Sequence, residues 1–248
     1  MPSKAKFLAG IKAEKGAGKK ADLALASLPK NWPEDVEYLT DLTFSDTITP
    51  EIRRGLGRDP SGNSPWVRIS FETVAAPLKA EIRLIDDEKH PACGQRGLFA
   101  AEPLVPDSFI CLYLGHVHTN SMSDTDPHSD YDLALDRELD LSVDGSKSGN
   151  EGRFTNDYRG IAERPNAEFR DCFVQIPCSK RSEGMKWERR VGIFVLSVGK
   201  AAKRKAGIKA DEEILISYGK GYWESRKVIA SFRKDEEMLR IANLALDC

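Results

Sequence analysis

Gly149 to Phe169, reading G-N-E-G-R-F-T-N-D-Y-R-G-I-A-E-R-P-N-A-E-F, restricts the possible folds more than any other stretch. Glycines, asparagines and Pro165 break any helix there. The apolar–polar alternation of a half-buried strand is missing. Yet Phe154, Ile161 and Phe169 give the segment apolar anchors. A polar segment pinned in this way is a place where main-chain groups serve a specific purpose. An ordinary connection between strands is the plainer alternative.

Two other stretches bear on that choice. Gly94-Gln95-Arg96-Gly97-Leu98-Phe99-Ala100 precedes an expected strand, and Asp211-Glu212-Glu213-Ile214-Leu215-Ile216-Ser217-Tyr218-Gly219 lies near the end. In this order and spacing, the three stretches resemble the SET-domain protein lysine methyltransferases. Arg153-Phe154-Thr155-Asn156-Asp157 is similar to that family's R-F-x-N-H, and Pro165-Asn166 to its following P-N. Ile216-Ser217-Tyr218-Gly219 is similar to its x-D-Y-G. The resemblance covers residues Ala80 to Gly219. It implies a mainly β fold with flanking helices, of the β-clip-like SET type. In that fold the 149–169 segment tucks under the C-terminal motif in a pseudoknot-type crossing.

The implied activity is transfer of methyl groups from S-adenosyl-L-methionine to the ε-amine of a lysine in a protein, a histone or another basic segment. Such a reaction is an in-line displacement, with the amine about 3 Å from the methyl carbon and opposite the sulfur. The amine must be neutral. From a pKa of about 10.4, neutrality at pH 7 costs roughly 4–5 kcal/mol, and a narrow apolar channel lowers that cost. The chemistry needs a cofactor pocket, a channel and hydrogen-bonding groups around the methyl, and no metal.

The resemblance also assigns residues. Gln95, Arg96, Gly97 and Leu98 form the first wall of the cofactor pocket, with Gln95 standing where the family has the first Gly of its G-x-G turn. Arg153, Phe154 and Asn156 face the cofactor's amino-acid end, and Asp157 takes the place of the family His. Tyr218 places its hydroxyl near the methyl and the amine. Tyr131 matches a channel aromatic, and Ile216 the position that limits methyl count. Residues 159–164 stand where the family usually has a short S-C-x. A Cys-rich zinc segment follows the last motif in many relatives but not here. Tyr222, Trp223 and the C-terminal helix are expected to cover adenine and channel instead, or Trp223 anchors that helix to the core.

Asn156, Tyr131 and Tyr218 favour an enzyme. Asp157, Gln95 and the missing zinc segment favour the alternative, a catalytically inactive SET-like binding or scaffold module. His90, His116, His118 and His128 are scattered singly, so a metal-dependent hydrolase lacks its ligands.

At 248 residues the chain is one large domain, or a domain with a small appendage. Five cysteines without a C-x-x-C pair support neither a disulfide framework nor a zinc site. A net charge of −2 argues against a dedicated nucleic-acid binder, leaving nucleic acid an indirect partner at most. No apolar run has transmembrane length, and Lys-rich residues 1–20 lack the apolar core of a secretory signal. A nuclear or cytoplasmic protein with no membrane partner is expected.

Charge is segregated. Between Ser121 and Asn150, eight acids (Asp124, Asp126, Asp130, Asp132, Asp136, Glu138, Asp140, Asp144) face Arg137 and Lys147. This block occupies the place of the family's variable insert beside the substrate groove, where it attracts a basic peptide or is simply a solvated face. It lacks the Gly and terminal Glu of an EF-hand. The block from Lys180 to Lys209 is basic.

The expected layout is a tail and helical lobe over residues 1–65, a SET-like catalytic domain over 66–219 and a helical cap over 220–248. Helices are expected over Ala21–Leu28, Trp32–Tyr38 and Tyr222–Leu246, with a connection over Pro50–Ser64. Strands are expected over Trp66–Leu78, Ala80–Ile85, Leu98–Ala101, Phe109–Leu114, Tyr131–Leu135, Leu139–Val143, Ala167–Ile176, Trp187–Ser197 and Glu213–Tyr218.

Overall fold

A computed structural model describes residues 28–57, 64–178, 184–199 and 207–227. The tail, the helix expected before Leu28, most of the basic block and the cap beyond residue 227 lie outside the described residues.

The described residues are mainly β with few helices. In order it forms β1 (Glu37–Tyr38), β2 (Thr43–Phe44), α1 (Pro50–Gly55), β3 (Val67–Ile69), α2 (Phe71–Ala75), β4 (Ala80–Leu84) and β5 (Arg96–Ala100). Then follow β6 (Phe109–Leu112), β7 (His116–Thr119), β8 (Asp132–Asp136), β9 (Leu141–Asp144) and β10 (Ser148–Gly149). A 3-10 turn over Glu151–Phe154 leads into β11 (Asn156–Asp157), β12 (Ala167–Pro177), β13 (Met185–Val195) and β14 (Leu215–Ile216). Among the described residues, a further helix, α3, takes in 219–227.

Two four-stranded sheets, ordered β3-β12-β13-β6 and β2-β7-β9-β8, carry most of the fold. The β12–β13 hairpin is antiparallel, with Ala167 opposite Val195 and Pro177 opposite Met185. Residues Arg190 to Val195 are all buried, because β13 lies between two cores. Val191 and Phe194 pack with Leu112, Val143 and Cys172, while Ile193 and Val195 pack with Leu98, Phe154 and Ile214. A strand buried on both faces reads as a continuous apolar run rather than an alternating one.

The N-terminal residues depart from the sequence expectation. Trp32–Tyr38 is not a helix: β1 pairs in parallel with β10 instead. The Trp32 indole donates to the Val36 carbonyl at 2.7 Å, and its ring meets Tyr38 and Phe154 edge-on. Burying three aromatic rings outweighs the weak local helix preference. β2 likewise pairs in parallel with β7.

Pro50–Ser64 is not a plain connection, since its first residues form α1. The Thr49 hydroxyl caps it by accepting from the Ile52 amide, Pro50 opens it, Glu51 lies in its first turn and Arg53 and Arg54 in its last. Those are the ordinary start and stop signals of a helix. Trp66–Leu78 is not one strand either. Ser70, accepting from the Thr73 amide, ends β3 and starts α2. The strand expected over Glu213–Tyr218 shortens to β14.

The 149–169 segment is ordered by a clasp around β14. β11 runs parallel to it, Asn156 opposite Leu215 and Asp157 opposite Ile216. The Tyr158 amide donates to the Ile216 carbonyl at 2.9 Å. On the other side, Asn166 replaces a strand partner. Its amide donates to the Leu215 carbonyl, its side-chain oxygen accepts from the Leu215 amide at 2.7 Å, and its side-chain nitrogen donates to the Glu213 carbonyl at 2.7 Å. β14 is therefore held between the two limbs of the 156–166 segment. Main-chain groups freed by glycine and proline are satisfied across chain-distant pairs.

Candidate active site

The clasp brings Tyr218 and Asn156 to one cavity of about 510 Å³. Gln95, Arg96, Phe154, Asp157 and Trp223 line it as well. A second cavity, of about 420 Å³, carries Asp126, Asp130 and Asp132 on its wall together with Tyr113 and Phe169. The two cavities share Tyr131, Arg153, Tyr218, Tyr222 and Asp130. Aromatic rings thus stand at the junction of two spaces, one polar and mixed, the other edged by carboxylates.

Each ring at the junction is fixed. The Tyr218 hydroxyl donates to the Thr155 carbonyl at 3.0 Å. Burial pushes the Tyr218 phenol well above its usual range, and the neighbouring Tyr222 and Tyr131 add to this. It therefore stays a protonated donor through the physiological range. Tyr222 meets it edge-on, with centroids 4.9 Å apart, and donates to Asp130 at 3.0 Å. Arg226 reaches the same carboxylate, so Asp130 latches α3 across the junction. The Tyr131 main-chain carbonyl accepts from the Tyr113 hydroxyl at 2.6 Å. The Arg153 guanidinium lies 4.4 Å from the Tyr131 ring centroid and donates to the Gly145 and Ser146 carbonyls. A planar cation against an aromatic face holds both groups in place.

Asp157 is a buried staple. One oxygen accepts from the Tyr218 amide at 2.7 Å and the Trp223 indole at 3.3 Å. The other accepts from the Arg159 amide at 2.9 Å. The Arg159 guanidinium lies 5.3 Å from the Trp223 ring centroid. Trp223 is thus both fastened to Asp157 and part of the cavity wall.

The first motif contributes unevenly. Gly94 takes the left-handed conformation, with φ of 79°, so the turn is made one position before Gln95. Gln95 and Arg96 line the first cavity. Gly97 does not: a Cβ there would stand 2.6 Å from Glu213 Oε1. Leu98 is fully buried in the core. Ile216 is also core, packed with Phe154 and Ile214, and lines neither cavity. Tyr113, Thr155 and Phe169 line the second cavity around the junction instead.

Sequence reasoning missed Glu213 and His90. The side-chain nitrogen of Asn156 donates to Glu213 Oε1 at 2.8 Å, and His90 Nε2 meets Glu213 Oε2 at 2.9 Å. Glu213 lay inside a quoted motif, but its partners are 57 and 123 residues away, and no local pattern announces such contacts. The acidic block is also less uniform than its composition suggests. Burial pushes Asp124 up, yet hydrogen bonds from Thr47, Ser45 and Thr119 outweigh it and hold the carboxyl far below its usual range. Asp136 pairs with Arg189 at 2.7 Å. Only Asp126, Asp130 and Asp132 reach the second cavity. Among the described residues, no group of three or more His, Cys, Asp or Glu is placed to hold a metal ion. No helix there is long and apolar enough to cross a membrane.

No protein-family model matches the chain, and no curated protein matches it. Solved structures do. A humanized mutant of the Chaetomium thermophilum Polycomb Repressive Complex 2, bound to an inhibitor, is similar at 21% identity and a TM-score of 0.41, over 60% of this chain and 16% of that chain. A crystal structure of the Chaetomium thermophilum complex gives 22% identity and a TM-score of 0.39, over 58% and 16%. The match thus spans a small part of those longer chains.

Proposed function

We propose that the chain is an S-adenosylmethionine-dependent protein-lysine N-methyltransferase acting on a lysine in a basic segment. The observation that carries the reading is the pair of cavities meeting at Tyr131, Tyr218 and Tyr222. One cavity suits a nucleoside-bearing amino acid: Trp223 offers an aromatic face, Asn156 a polar group and Arg153 a cation. The other suits a peptide: its wall carries three carboxylates, which attract a basic chain.

When bound, the cofactor supplies an electrophilic methyl on a positively charged sulfur. The residues of this chain do the rest. At the cavity wall, where Asp130 and Asp132 are already paired with Arg226 and His118, Asp126 draws in a cationic side chain. The aromatic junction strips water from it and so favours the neutral amine. Tyr218, kept protonated and anchored on Thr155, orients the reacting groups. Asn156, Arg153 and Trp223 would hold the cofactor, which would supply its methyl to the neutral amine at the junction.

The test is titration with S-adenosyl-L-methionine, followed by incubation of wild type and Tyr218→Phe with labelled cofactor and core histones. Saturable binding, with a labelled band that disappears in the variant, supports the enzyme. Binding without label in any protein substrate, a whole lysate included, points to a binding module. No binding at all ends the methyltransferase reading.

A further inference from the structure

We infer that Glu213 and His90 are positioning residues: they fix which face Asn156 shows to a ligand, and so select a cofactor bearing an α-ammonium group. The inference rests on the methyltransferase reading of the cavity and adds what recognises the ligand's amino-acid end.

A carboxylate accepts hydrogen bonds and does not donate them. Glu213 Oε1 lies 2.8 Å from Asn156 Nδ2. The same nitrogen donates to the Arg96 carbonyl at 3.3 Å. Both amide hydrogens of Asn156 are therefore engaged by the protein, and Oδ1 is the atom left for a ligand. An alternative amide orientation would set Oδ1 against two acceptors, which is repulsive.

His90 fixes Glu213 in turn. Its Nδ1 accepts from the Ala92 amide at 3.0 Å, which leaves the ring hydrogen on Nε2, directed at Glu213 Oε2 2.9 Å away. The His90 and Glu213 side chains are 9% and 8% exposed. Gly97 makes room for the carboxylate, as the clash with any Cβ there shows. Glu213 thus joins all three sequence motifs: it meets Gly97 of the first and Asn156 of the second, and belongs to the third. A buried carboxylate in such a setting is costly unless its oxygens are satisfied; here they are, by Asn156 and His90.

The chemical consequence is selective. An oxygen acceptor at Asn156 welcomes an ammonium and repels a carboxylate. A neutral glutamine in place of Glu213 can donate as well as accept, so the amide of Asn156 is no longer held to one orientation.

The experiment measures binding of S-adenosyl-L-methionine, and of its analogue with the α-ammonium replaced by hydrogen, to the full chain. Variants are Glu213→Gln, His90→Leu, Asn156→Ala and the double variant Glu213→Gln/Asn156→Ala. Wild type should prefer the ammonium-bearing compound by about tenfold or more, as expected for a hydrogen bond to a charged group. Glu213→Gln should narrow that preference to about threefold or less while binding of the analogue changes little. Asn156→Ala should abolish the preference, and adding Glu213→Gln should then change nothing further, as the cycle for a relay requires. If Glu213→Gln does not fold, His90→Leu carries the test, with a smaller narrowing expected. A full preference retained in the folded variants, or equal loss of both compounds, overturns the inference and leaves the methyltransferase reading standing. If wild type binds neither compound, both fall together.

Discussion

The Tyr218 hydroxyl donates to the main-chain carbonyl of Thr155, 63 residues earlier, at 3.0 Å. The last motif is thereby fixed to the middle one at the junction of two cavities. Burial keeps the phenol protonated, which suits the orienting role proposed for Tyr218 and not that of a base. Tyr218→Phe removes that dipole and leaves the ring contact with Tyr222 in place. On the proposed reading, methyl transfer should fall by about 10²–10³, the order expected for losing one preorganised polar group beside a reacting centre. Cofactor affinity should change by no more than about threefold. Initial rates and calorimetric titration on the same preparation check this, and an active variant would remove Tyr218 from the chemistry.

Asp157 collects three donors: the Tyr218 amide, the Trp223 indole and the Arg159 amide. Asp157→Asn exchanges one acceptor oxygen for a donor, which must face at least one of those N–H groups. A loss of about 1–3 kcal/mol follows from leaving a buried donor unpaired. The first region to loosen should be α3, since two of the three bonds act on Tyr218 and Trp223. Urea unfolding followed by Trp fluorescence measures the first effect. Hydrogen exchange over residues 218–227 reads the second. Asp157→His offers fewer acceptors and should also destabilise.

The order of the three motifs and the long strands were legible in glycine, proline and apolar placement, whereas the crossing of the 149–169 segment was implied only by the resemblance that the motifs carry. Phe154, for instance, announces its burial by being an isolated aromatic among polar residues. What could not be read depends on distant contacts. Trp32–Tyr38 has the composition of a helix start, but its rings pack on Phe154 and its backbone pairs with β10. Pro50–Gly55 was hidden by breakers that also serve as caps. Ile216 and Leu98 sit in motifs whose neighbours line a cavity, while they themselves face the core. The local bond of the His90 ring, from the Ala92 amide, does not announce its role; that comes from Glu213, which the clasp delivers.

His118 supplies a pH dependence. A hydrogen bond to Asp132 raises its pKa to about 9, against the opposing effect of burial, and the Thr119 carbonyl and Asp144 add to the increase. The folded value lies above the unfolded one of about 6.5. The stabilisation is therefore fully present below about pH 6.5 and is lost as pH rises through about 9. Wild type should show a Tm that declines across this window, and His118→Gln a lower Tm at pH 6 with a flatter profile. Scanning calorimetry at several pH values decides it. A wild-type Tm as flat as that of the variant would mean that the Asp132 pair contributes nothing.

The carboxylates of residues 121–150 should divide into two classes when mutated. Asp124 is bonded to Ser45, Thr47 and the Thr119 amide, so Asp124→Asn should cost about 1–3 kcal/mol of stability. Asp126 lines the second cavity and is partly exposed, with Lys147 Nζ at 3.9 Å as a loose partner. Asp126→Lys should leave stability within about 0.5 kcal/mol, as for an ordinary surface change. It should slow methylation of a lysine-rich peptide by several-fold at low ionic strength. That penalty should shrink toward physiological salt, because exposed charges are screened over about 8 Å. Rates measured between low and high salt on both variants test the division. An Asp126→Lys rate that matches wild type at every salt concentration would remove the acidic rim from substrate attraction and leave the aromatic junction as the sole feature that selects a lysine.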